Sequence, residues 1–120
     1  MDKIKSFKEL RIWQRGIELV KDIYLLTEKF PKEELYGITS QMRRASISIP
    51  SNIAEGFKRN HNKEFVQFLH LAMGSAAELE TQLIIAKEIG FINSEKLILV
   101  SNKLDSLSKM TTSLLNKMSC

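Results

Sequence analysis

One cysteine, two prolines and five glycines are all that this 120-residue sequence holds of the residues that staple, break or loosen a chain. The single Cys120 excludes a disulfide framework within the chain and suits a reducing cytoplasm. So few breakers leave long segments free to be helical. No run of about 18 apolar residues occurs, so nothing is expected to span a membrane. The opening MDKIKSFKELR is charged from the start and lacks the apolar region of a signal peptide. What is present is an ordinary globular balance, 43% apolar and 27% charged, over a length that suits a single domain spanning residues 1–120. The net charge of +4 permits an acidic partner.

Hydrophobic periodicity predicts four helices and no strand. Ser6 and Glu9 have capping-box spacing, which starts the first helix at Ser6. Leu10, Trp13, Ile17, Val20, Tyr24 and Thr27 then form a heptad seam, with a second stripe of Ile12, Leu19, Ile23, Leu26 and Phe30 beside it. Together they cover roughly 200° of a helix that needs little more than about 100° for one core face. Gly16 lets another backbone approach closely. Phe30-Pro31 ends the helix, and the second runs from Ile38 to Lys58. Asn60 or Asn62 is expected to cap the third, whose seam is Phe65, Leu69, Ala72, Ala76, Leu79, Leu83 and Ala86. Gly90 closes it, Asn93 or Ser94 opens the fourth, and Leu97, Val100, Leu104, Leu107, Thr111, Leu114 and Met118 make the last seam. The expected fold is an all-α, up-down-up-down antiparallel four-helix bundle.

The second helix is the unusual one. It carries Pro50 in its interior, at a cost of about 3 kcal/mol. Ile38, Met42, Ala45, Ile49, Ile53 and Gly56 make a core stripe, while Ile47, Pro50, Ala54 and Phe57 form a second apolar face. Gln41, Arg44, Ser48, Ser51, Asn52, Glu55, Lys58 and Arg59 gather on a polar face. Arg44, Ser48, Ser51 and Glu55 follow steps of four, three and four, which fits either a buried structural or interface network or an exposed phosphate-binding groove with Arg44 and Arg43 as its cations. Glu55, which repels phosphate, favours the first. The apolar excess on the first two helices points to contact with another molecule. Ile12, Gly16, Leu19, Ile23, Arg44, Ile47, Ser48, Pro50, Ser51, Ala54, Glu55 and Phe57 are the candidate structural and interface residues. The occupant is either another copy of the chain or a different protein.

Catalysis finds no support. His61 and His70 stand three residues after Lys58 and Gln67, not after the carboxylates of a di-metal bundle. There is no Gly-x-Ser-x-Gly turn, no nucleophile with a partner and no phosphate-cradling glycine loop. No enzyme activity, metal or cofactor is expected. The cations are more informative because they are uneven. In an antiparallel bundle the start of helix one, the end of helix two and the start of helix three share a pole. Most positive charge collects there, with Arg11, Arg15, Arg43, Lys58, Arg59 and Lys63 as candidate phosphate contacts for RNA or DNA. No aromatic is interleaved with them, so binding would follow the backbone and not the bases.

FKELRIWQRGIELV, FPKEELYGITSQMRRASISIPSNIAEGFKR and EFVQFLHLAMGSAAELETQLIIAKEIGFI resemble the small bacterial four-helix bundle proteins encoded in intervening sequences of 23S ribosomal RNA genes. The likeness runs from about Phe7 to Met118 and is most specific from Gln41 to Gly56. That family is similar to the accessory protein of diversity-generating retroelements, a pentameric barrel that binds nucleic acid and a reverse transcriptase. The resemblance implies a homo-oligomer, a pentamer, with a basic surface and no known catalysis.

Overall fold

The computed structural model describes residues 3–118, so Cys120 lies outside the described residues. Helices α1 (Arg11–Thr27), α2 (Ile38–Lys58), α3 (Asn62–Glu88) and α4 (Ser94–Met118) form a bundle 48 Å long, with no strand among the described residues. Helix α1 packs on α2 and α4, and α3 packs on the same two, which is the square section of an up-down-up-down bundle. Short helix connections enforce the antiparallel order. Two 3-10 turns, Phe7–Glu9 and Lys32–Glu34, precede α1 and α2.

Local chemistry sets the boundaries, in places differently from the sequence expectation. Ser6 caps the first 3-10 turn, accepting from the Lys8 amide at 3.2 Å, and α1 itself starts at Arg11. Gln14 Nε2 donates to the Lys8 carbonyl at 2.9 Å and holds that turn against the helix. Neither Asn60 nor Asn62 caps α3. Asn60 takes the left-handed conformation of the turn, φ 61°, and His61 occupies the cap position. At the other end of α3, Gly90 adopts φ 85° as expected, with the Phe91 amide reaching the Ala86 carbonyl at 2.8 Å. Asn93 Oδ1 then accepts from the Lys96 amide at 2.8 Å and caps α4.

The core is made by Met42, Ala45, Ile49 and Ile53 of α2, Leu69 to Ala86 of α3, and Val100, Leu104, Leu107 and Leu115 of α4. On α1 the two stripes exchange the roles suggested by the heptad. Ile12, Gly16, Leu19, Ile23 and Thr27 are buried, whereas Trp13, Ile17 and Val20 are half-buried and Tyr24 is exposed. Gly16 decides between them. A Cβ there would stand 3.1 Å from the Pro50 Cβ, so the glycine stripe is where α1 and α2 approach most closely. Ile12, Leu19, Ile23 and Pro50 are therefore core residues, not surfaces for another molecule. Phe57 is half-buried and meets Phe65 edge-on at 5.9 Å, so it too packs within its own chain.

Candidate nucleic-acid interface

Ser75 Oγ donates to Ser48 Oγ at 2.8 Å, and this bond marks the middle of the bundle. On one side of that level, residues 3–18, 49–74 and 108–118 hold ten Lys and Arg against four Asp and Glu. The opposite half holds eight against nine. Chain topology alone produces this pole, because the ends of alternate helices are brought together.

Within the basic half the cations differ in what they can offer. Lys5, Lys8 and Lys58 surround one open cleft of about 740 Å³, with Ser6, Phe7, Phe57 and Asn60 completing the wall. None of the three ammonium groups forms an ion pair among the described residues. A carboxylate stands near them at Glu9, whose Oε2 accepts from the Lys5 amide at 3.3 Å. Arg11, Arg15 and Lys63 are exposed in the same half and are likewise without an ion pair among the described residues.

Arg59 is committed elsewhere. It bonds Glu55 at 3.0 Å and Glu64 at 3.6 Å, and its guanidinium lies 5.0 Å from the Phe68 ring centroid. Arg43 is not at this pole at all. Near the start of α2, its Nε donates to Thr27 Oγ1 at 2.9 Å and its guanidinium sits 4.4 Å over the Tyr24 ring. It ties the end of α1 to α2, which removes it from the phosphate contacts. Sequence spacing placed Arg43 beside Arg44 in a basic cluster. About 22 Å of helix nevertheless separates it from Lys58, which puts it in the opposite half.

The polar face of α2 also divides. Glu55 is exposed and pairs with Arg59, so it does not join Arg44 in a buried network. Arg44 and Ser51 are exposed, and Ser48 is half-buried against Ser75. Of the expected apolar face of α2, Ile47 is 41% exposed and Ala54 half-buried. The Gly16–Pro50 and Tyr24–Arg43 contacts set Trp13, Ile17, Val20 and Tyr24 on the flank of α1 that borders this row. Ile17, Val20 and Tyr24 of α1 with Ile47 and Ala54 of α2 thus form an apolar ribbon along the two helices, while Trp13 packs on Phe7 and against the core. His61 and His70 are both exposed, and no cluster of three metal-ligating side chains occurs among the described residues. Among the described residues no helix is long and apolar enough to cross a membrane.

Among solved structures, the chain is similar to a protein of unknown function from the S23 ribosomal protein family of Bacteroides thetaiotaomicron. The TM-score is 0.78 at 21% identity, over 87% of this chain and 97% of that one, a likeness of fold. No curated protein matches it. The family model of the 23S rRNA-intervening sequence protein matches residues 8–113, nearly the whole bundle. The chain therefore belongs to the 23S rRNA-intervening sequence protein family.

Proposed function

We propose that this protein is a non-catalytic, cytoplasmic, self-associating bundle that binds structured RNA through the phosphate backbone. The observation that carries the reading is the lysine cleft, three unpaired ammonium groups around one concavity in a half with ten cations to four carboxylates. Phe7 and Phe57 line the cleft, contrary to the expectation of no aromatic among the cations, but they are engaged with Trp13 and Phe65. The lysines therefore act as point charges that position a nucleic acid without reading its bases. The α1–α2 ribbon is the self-association surface, and a pentamer is the assembly that the retroelement resemblance suggests. Fluorescence anisotropy with a labelled RNA hairpin tests the reading. Affinity falls steeply with salt, and Lys5→Glu, Lys8→Glu and Lys58→Glu together abolish it while leaving helicity intact. Salt-independent or absent binding by the unaltered chain overturns it.

A second reading is a protein scaffold that recruits a partner without nucleic acid. It draws support from the opposite half, which carries ten of the twelve large apolar side chains exposed among the described residues, including Leu25, Ile84, Ile98 and Leu99. A bundle that captures a protein partner equally well at high salt and ignores RNA favours this alternative.

A further inference from the structure

Across the α2–α3 seam, in the half away from the lysine cleft, lies an open groove of about 530 Å³. Its lining is polar, and two residues of opposite charge, Arg44 on α2 and Glu78 on α3, border it. Both are exposed, and neither bonds to the other or to any group among the described residues. The hydroxyls at its floor are oriented. Ser48 Oγ accepts from Asn52 Nδ2 at 2.9 Å and from Ser75 Oγ at 2.8 Å. The bond between the serines uses one of their two hydroxyl protons, and the other proton of the Ser48–Ser75 pair has no acceptor among the described residues. Arg44 and Ser48 are one helical turn apart on the same face. Arg44 and the serine pair thus line one groove as donors for an anionic group, and Glu78 lines it as an acceptor. Tyr36, 93% exposed, stands at the rim, and Ala45 supplies an apolar patch of wall.

From this arrangement we infer that the groove binds a zwitterion of amino-acid or short-peptide size. The ligand carboxylate lies on the Arg44 guanidinium and the Ser48–Ser75 hydroxyl pair, its ammonium on Glu78, and its side chain against Tyr36 and Ala45. Charge balance selects this class. A phosphate ester would meet Glu78, and a polyamine would meet Arg44, whereas a zwitterion matches both. The guanidinium fork suits a carboxylate in particular, donating two parallel bonds to its two oxygens. The volume lies within the usual range for small-ligand sites. This site is independent of the RNA reading and shares no residue with the lysine cleft.

The test is a nitrogen-15 amide titration of the full chain with free leucine, free arginine and the dipeptide glycyl-leucine. N-acetyl-leucine amide, which carries neither charge, is the control. Saturable shifts centred on residues 40–48 and 75–78 are expected with the zwitterions and not with the blocked compound. Arg44→Ala and Glu78→Gln each weaken binding by roughly ten- to a hundredfold, the loss expected for a hydrogen bond to a charged group. Both side chains are exposed, so helicity is unchanged. Should one variant lose its fold, the other and the blocked control still decide. Tighter binding of the dipeptide identifies a peptide terminus as the ligand, and tighter binding of an amino acid identifies the free form. Absence of saturable shifts, equal shifts with the blocked compound, or unchanged affinity in both variants overturns the inference.

Discussion

At the scale of single residues, two helix-interior glycines carry opposite predictions. A Cβ at Gly56 would stand 2.5 Å from the Phe68 Cβ and 3.1 Å from Phe65 Cδ1, and neither neighbour is a flexible side-chain end. Gly56→Ala is expected to cost about 1–3 kcal/mol through overpacking. Gly74 has nothing within 4 Å of that position and is exposed. Gly74→Ala should gain about 0.5–1 kcal/mol of helix propensity. Thermal melts of the two variants should move in opposite directions, and parallel shifts would contradict the packing described. The cations separate in the same way. Arg43→Ala loses the Thr27 bond and the Tyr24 contact, costing about 1–2 kcal/mol, and leaves RNA affinity unchanged. Lys58→Ala weakens RNA binding and leaves the melting temperature alone. Paired melting and anisotropy measurements on both variants check the assignment.

At the scale of the helices, the exchange of stripes on α1 turns two similar substitutions into different experiments. Ile23 is 0% exposed, and Ile23→Asp buries an unpaired carboxylate that should unfold the bundle. Ile47→Asp faces solvent in the isolated chain and should keep the circular dichroism of a folded bundle while lowering the mass seen by light scattering. Loss of helicity in both would move Ile47 into the core. For Pro50, burial against Gly16 sets two effects against each other. Replacement by alanine removes about two buried methylenes, near 0.8 kcal/mol each, but relieves a proline cost of about 3 kcal/mol. Pro50→Ala should therefore hold or raise the melting temperature. Because Pro50 is buried within the chain, assembly should be unchanged, and a drop in mass would return it to the interface.

At the scale of the whole molecule, the bundle has a basic half and an apolar-studded half, and its behaviour with salt follows from the first. Each lysine on a phosphate releases counterions, so replacing Lys5, Lys8 and Lys58 by alanine, which removes charge without reversing it, should weaken binding and flatten the slope of log affinity against log salt by roughly one unit per lysine. An unchanged slope in the triple variant would place the phosphate contacts elsewhere, at Arg11, Arg15 and Lys63 or beyond. The same segregation explains why charge counting along the sequence was only partly right. The pole at Lys8, Arg11, Lys58 and Lys63 follows from antiparallel order alone. So does the place of Arg43, near the start of α2, in the opposite half, whereas its bond to Thr27 and the pairing of Arg59 with Glu64 do not.

Periodicity and punctuation in the sequence determined the number of helices, the seams of α2 and α3 and the left-handed Gly90, and narrowed the start of α4 to Asn93 or Ser94. Each of these depends on residues near one another along the chain, where spacing translates directly into position. Tertiary structure alone decided which α1 stripe is buried. Two apolar rows on one helix are equivalent until a partner helix chooses between them, and the close approach of Gly16 to Pro50 makes that choice. It also decided which cations are free, since ion pairs such as Arg59 with Glu64 and stacking such as Arg43 on Tyr24 join residues on different elements. The groove between Arg44 and Glu78 belongs to the same category. The two residues lie 34 apart in the chain, and only the packing of α2 on α3 sets them on one groove.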